Sequence, residues 1–384
     1  MANVTYLLGA GASANCLPVI QNFSKRLLIS KKILEEDIQA RSDLYNINFD
    51  TPRKPPIISD LDAAKEIIKE LEWVISESAT HQTIDTLAKK FFHKDLKSLF
   101  RLKRILIFFF LFEQKMAKRI NSQIHKDDHE NAKSYEENLV SSIKEASDKR
   151  YDSFIAAVLK NIPNKIELQN NIKVLSWNYD CQFEIALMNY SNKNFNELKA
   201  FFQVLPNTST FNTNKLNLDL GKFAFLKLNG SAEYDSFAIN NGGGQNILET
   251  NIDEGTTLNR LIEDYMNSKK YENSQNSHLT YFNYSWEQVG EFVNKYEGYN
   301  ECIKNAFTIA EETEILVVIG YSFPFFNRKI DRKIMNSNRI QKVYVQDVNP
   351  QERIFTIKES FESLRGKQII PINFINSFFL PPEL

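Results

Sequence analysis

VTYLLGAGAS, Val4 to Ser13, puts two glycines one residue apart directly after five strand-forming residues. The β-branched and aromatic positions favour a pleated backbone, and the glycines free the chain for a close approach at its end. Gly9-x-Gly11-x-x-Ala14 fits the dinucleotide spacing G-x-G-x-x-G/A, ahead of a helical pattern at Val19 to Leu28. Free backbone amides and a helix N-terminus there would favour a pyrophosphate. A tight strand-to-helix turn without ligand fits the same residues equally well. A dehydrogenase unit also needs a second strand soon after the helix and an acid about 20 residues on. Glu35, Glu36 and Asp37 instead fall within a helical pattern, and no strand pattern precedes Ile172, which disfavours hydride transfer.

Four further apolar runs stop at polar or glycine-containing clusters. Ile172 to Ser176 stops at WNYD (177–180), Phe223 to Leu228 at NGS (229–231), Ile315 to Ile319 at GYS (320–322), and Val343 to Gln346 at DVNP (347–350). Helical patterns follow at Gln182 to Tyr190, Asn327 to Met335 and Gln351 to Leu364. This alternation predicts an α/β fold with a Rossmann-like parallel sheet, whose ligands sit at the carboxyl ends of the strands. Pro55 to Asn161 differs, with helical spacing, many Lys and Glu and almost no glycine. It predicts a large all-helical insertion in a domain made of residues 1–54 and 162–384. Asn240 to Ser277 reads as a surface loop carrying one helix at Thr257 to Lys269.

Composition removes several classes. The 384 residues carry 47 Lys plus Arg against 48 Asp plus Glu, so no overall attraction to nucleic acid or anionic membrane is built in. The basic stretches Lys89 to Arg104 and Arg328 to Lys342 read as solvated helix faces. The apolar block Ile105 to Phe112 falls well short of the roughly 20 residues of a membrane span and predicts a buried helix. No export signal pattern opens the chain, so the expected compartment is cytoplasmic. Three distant cysteines, Cys16, Cys181 and Cys302, predict neither a disulfide framework nor a zinc site.

GAGAS with Leu17-Pro18, SWNYD (176–180), LKLNGS (226–231), VIGYSFP (318–324) and VNP (348–350) together resemble the successive motifs of the sirtuin-like superfamily, particularly its bacterial antiviral-defence branch. IDTLAKKF (84–91) adds a weaker match. The resemblance implies a sirtuin-like Rossmann-like sheet that binds NAD and, in that branch, cleaves it rather than deacetylating protein. The two Cys pairs of a deacetylase zinc module are absent from the sequence, so no zinc and no other metal is expected.

On that resemblance, Gly9, Ala10, Gly11, Ala12, Ser13, Gly320, Tyr321, Ser322 and Asn349 would contact NAD. Asn178 would orient the ribose or water, and Asp180 would supply negative charge or a hydrogen bond. By residue type alone, Asn178 and Asp180 also suit a helix cap, Tyr321 and Ser322 a turn closed by Pro324, and Asn349 a turn before Pro350. Asn229 stands where the family ordinarily has its general-base histidine. Asparagine cannot accept a proton near neutral pH. A slow natural hydrolase, a binding-only variant and a substitution that traps a complex all fit this position. None of His81, His93, His125, His129 and His278 falls in a motif.

The resemblance thus implies an NAD glycohydrolase releasing nicotinamide and ADP-ribose, or a catalytically silent module that binds NAD or ADP-ribose. An NAD-consuming activity needs control, so a homo-oligomer or a separate regulator is expected. An ATPase, a short Argonaute or a nucleotide-processing enzyme are the family-level candidates, and the helical insertion is the expected contact surface.

Overall fold

The structure, a computed structural model, describes residues 2–19, 22–45, 58–130, 147–207, 218–234, 245–249, 253–270, 280–282, 284–288 and 297–384. These residues form nine strands and twelve α-helices in an α/β fold.

The strands are β1 (Val4–Leu8), β2 (Ile172–Ser176), β3 (Val204–Leu205), β4 (Ala224–Lys227), β5 (Gly230–Tyr234), β6 (Thr280–Phe282), β7 (Ile315–Ile319), β8 (Lys342–Gln346) and β9 (Gln368–Ile372). Seven of them make one all-parallel sheet in the order β3-β4-β2-β1-β7-β8-β9. β5 and β6 form a separate two-stranded sheet. β1, β2, β4 and β7 are buried along their whole length. Burial on both faces is why they read as continuous apolar runs rather than alternating ones.

The chain divides into two compact units. The first comprises Met1–Ala14, Asp148–Ser231 and Tyr281–Leu384 and contains the seven-stranded sheet. Its helices α6 (Lys149–Val158), α7 (Gln182–Met188) and α8 (Phe195–Phe201) supply the core on one face of the sheet, with Tyr6, Leu8 and Val174. Helices α10 (Glu297–Glu312), α11 (Arg328–Met335) and α12 (Pro350–Ser360) supply the other, with Leu7, Leu175 and Val318. Successive residues of β1 thus serve opposite cores, as the pleat requires.

The second unit comprises Asn15–Ser147 and Ala232–Thr280. It contains α1 (Phe23–Tyr45), α2 (Leu61–Ser78), α3 (Ile84–Lys94), α4 (Leu96–Lys115), α5 (Ala117–Glu130) and α9 (Glu254–Lys270). Every residue of Leu102 to Gln114 in α4 is buried, and α4 packs against α1, α2, α3, α5 and α9. Its segment Ile105 to Phe112 is apolar on every side, which suits the centre of such a unit. Its buried Glu113 is neutralised by Arg26 of α1 at 2.8 Å.

Several boundaries differ from those the sequence predicts. The compact division does not fall at Pro55 and Asn161: α1 and residues 232–280 group with the helical unit, whereas α6 packs on the sheet. The first helix starts at Phe23, not Val19, and continues to Tyr45. Within the segment read as a surface loop, α9 buries Leu258, Leu261 and Tyr265, and the Tyr265 ring meets Phe108 of α4 edge-on. The glycines at 242–244 lie outside the described residues. Ile105 to Phe112 forms the buried helix expected of it. No helix among the described residues is long and apolar enough to cross a membrane.

Candidate functional site

The connections from β1 lead to β2 and those from β7 lead to β8, on opposite sides of the β1–β7 pair. The carboxyl ends of these two strands are therefore the topological switch point, where open α/β sheets take ligands. The glycine stretch sits there, and its first role is backbone contact. Gly9 N–H donates to Ile319 O and Gly11 N–H to Gly320 O, both at 3.0 Å. A Cβ on Gly9 would lie 2.6 Å from Gly320 O, and one on Gly11 2.7 Å from Gly320 Cα. Gly320 has φ +57, and a Cβ there would lie 2.5 Å from Gly11 Cα. The three glycines let two strand exits touch. The amides of Gly9 and Gly11, expected to face a pyrophosphate, are taken by the carbonyls of Ile319 at the end of β7 and Gly320 just past it.

Residues 10–13 form a single 3₁₀ turn. Ala10 is exposed, Gly11 intermediate, and Ala12 and Ser13 buried. Asn178, just past β2, donates from Nδ2 to Gly9 O at 2.9 Å and to Ser13 Oγ at 3.3 Å. The cap reading of Asn178 gives way to a bridge between two strand exits. Ser13 Oγ also pairs with the Tyr151 hydroxyl at 3.1 Å.

Asp180 is buried and accepts Gln182 N–H at 3.0 Å, capping the start of α7. Burial raises its carboxyl above the ordinary range, against the Gln182 amide, the Lys227 charge and the Ser13 hydroxyl. Behind it, Lys227 of β4 forms an ion pair with Glu184 of α7, both side chains at most 1% exposed. Lys227 also donates to Ser231 Oγ at 2.9 Å.

Asn229 occupies the exit of β4 and is 4% exposed. Nδ2 donates to Trp177 O at 3.2 Å, and Oδ1 accepts Ser285 N–H at 3.1 Å. Both ends of its amide thus engage backbone. Ser322 and Asn349 stand exposed at the exits of β7 and β8. Asn349 caps α12, its Oδ1 accepting Glu352 N–H at 3.4 Å.

Tyr321, expected to face a ligand, points into the core. Its ring stacks on Trp177 with centroids 5.8 Å apart, and its hydroxyl donates to the Asp331 carboxyl group, 2.9 and 3.1 Å from its two oxygens. Burial pushes Asp331 up to about 8, opposed by the Tyr321 hydroxyl, the Trp177 indole and Arg328. The folded chain therefore holds a proton that an unfolded aspartate, at about 3.9, releases. This group's stabilising contribution is present at low pH and is lost as pH rises through its folded value. Asp331→Asn, which keeps the neutral shape, is expected to gain stability relative to the parent chain between pH 5 and pH 8, read by urea unfolding at both pH values. A difference independent of pH would refute the raised titration.

The sequence reading missed Asp148, Arg150 and Tyr151, which lie in the stretch read as insertion. The available signal was an aspartate two residues ahead of an arginine, an N-cap pattern: Asp148 accepts Arg150 N–H at 3.1 Å at the start of α6. Arg150 Nη2 donates to Gly11 O and Ala12 O at 3.2 and 3.1 Å. No protein-family model matches this chain, and its comparison with curated proteins returns no match.

Proposed function

We propose that the chain is a sirtuin-like NAD-binding protein that takes NAD at the carboxyl ends of β1, β2 and β7 and cleaves it to nicotinamide and ADP-ribose. The observation that carries this reading is Asn178 at the switch point, half-buried and joined to Gly9 and Ser13. An amide in that place suits a ribose hydroxyl or the attacking water, and Ala10 and Ser322, past the ends of β1 and β7, are both exposed. In hydrolysis the bond from ribose C1′ to the nicotinamide nitrogen breaks and its electron pair stays with the departing ring, which leaves neutral. Water oxygen bonds to C1′ and its proton passes to solvent or to a nearby base. Asp180 in its ionised form would favour the cationic sugar that develops, and its raised carboxyl is the group that such a cation would draw back to the ionised form.

A second reading, a silent module that binds NAD or ADP-ribose, is favoured by Asn229, whose amide is held by Trp177 O and Ser285 N–H. In either case a cytoplasmic role in bacterial antiviral defence, with a homo-oligomer or a separate ATPase, Argonaute or nucleotide-processing partner controlling the site, is the context the resemblance suggests. Asn229→His separates the two. If only the base is missing, nicotinamide release is expected to rise by about 10²–10⁴-fold with NAD affinity little changed. An unchanged rate with intact binding favours the silent module, and no NAD binding by the parent chain rejects both.

A further inference from the structure

We infer that Arg150 and Tyr151 are positioning residues for the 9–13 turn, and that residues 375–378 hold them in place from the side away from the ligand.

Arg150 is 6% exposed and Tyr151 1%. The guanidinium gathers the carbonyls of Gly11, Ala12 and, at 3.4 Å, Ile375, while Asp148 balances its charge through Nε at 2.9 Å and Nη2. A buried cation already paired in this way is not an anion site; it is a clamp on backbone dipoles. Because the C=O and the following N–H of a trans peptide point in opposite directions, fixing Gly11 O and Ala12 O toward Arg150 turns the amides of Ala12 and Ser13 away from it. Ala12 N–H accordingly donates to Gly9 O at 2.9 Å. Tyr151 fixes the side chain of the same turn through Ser13 Oγ, the atom Asn178 also reaches.

Both positioning residues rest on one ring. Phe378 packs edge-on against Tyr151 with centroids 4.9 Å apart, and the Arg150 guanidinium carbon lies 5.6 Å from the Phe378 centroid. Gln346 at the end of β8 anchors this strap, donating to Phe374 O and Ser377 O at 2.7 Å and accepting Phe379 N–H at 3.0 Å. The path from β8 through the strap to the turn is thus a continuous set of hydrogen bonds and ring contacts. A partner or second copy that lifts residues 375–378 would alter the turn without touching ligand. The ligand consequence rests on the NAD reading; the coupling itself does not.

Hydrogen–deuterium exchange and NAD titration of the full chain test this with Arg150→Lys and Phe378→Leu. Lysine keeps a charge for Asp148 but cannot span two carbonyls and Ile375, and leucine keeps an apolar residue without the ring. Both variants are expected to speed exchange of the 9–13 amides by about ten- to hundredfold, the range for losing a charge-assisted hydrogen bond, with β8 amides unchanged. NAD binding should weaken by a comparable factor. Parent-like exchange at 9–13, or an equal rise across β8, overturns the coupling. Absence of NAD binding by the parent chain overturns the NAD reading, and the exchange result still decides the coupling.

Discussion

Gly320→Ala is expected to lower the unfolding free energy by about 2–5 kcal/mol, the combined cost of forcing an L-residue into the left-handed region and of overpacking a filled site. Both terms apply at one position. Gly320 has φ +57, and its added methyl would meet Gly11 Cα at 2.5 Å, Gly11 C at 2.6 Å and Ala12 N at 2.8 Å. These are backbone atoms of the neighbouring strand exit, which cannot rotate away as a side chain would. Gly366→Ala is the control, since nothing lies within 4 Å of the added carbon, and it should change stability by less than about 1 kcal/mol. Urea unfolding of the three chains measures both effects. Equal stabilities for the two variants would show that β1 and β7 do not approach through glycine.

Lys227→Met should be the other severe change, costing about 3–5 kcal/mol because it leaves the Glu184 carboxylate buried without its cation. Adding Glu184→Leu should restore most of the loss, since a well-packed apolar pair often equals or exceeds a buried ion pair in stability. A double variant as unstable as Lys227→Met alone would place the cost in packing or in the Ser231 hydrogen bond rather than in the stranded charge. The pair joins β4 to α7 beside Asp180, so the rescued double variant also asks whether the site needs Lys227 for charge or for shape. If for shape, the NAD reading proposed above expects NAD binding to return together with stability.

The strands most legible in the sequence are those buried on both faces. Val4–Leu8, Ile172–Ser176 and Ile315–Ile319 match their apolar runs residue for residue, and the other two expected runs differ only at their ends. β3 escaped because it has two residues, and β9 because QIIPI is only partly buried and carries Pro371, which marks an edge strand. The glycine stretch announced a close approach, but not that its partner is the backbone of Gly320, because β1–β7 adjacency is a property of the whole sheet. Tyr321 and Asn229 show the same limit. Each stands at a strand exit, as read, yet Tyr321 turns to Asp331 on the helix that follows it and Asn229 to Ser285, far along the chain, and neither motif shows which way its side chain turns. Arg150 and Tyr151 were hidden by a boundary: they sit in the segment read as insertion, yet belong to the unit that contains the sheet.

The central position of β1 has a cost in time. Its neighbours begin at Ile172 and Ile315, so during synthesis β1 waits more than 160 residues for its first partner and about twice as long for its second. Such separated pairings raise contact order and slow folding. Helices α1 to α5 of the other unit pack on one another close in sequence and can begin to collapse while β1 is still exposed, although α4 and α2 also await α9. An apolar pentapeptide held unpaired for that interval is an aggregation hazard. The yield of folded chain should therefore respond to translation rate and to chaperones more strongly than the final stability would suggest.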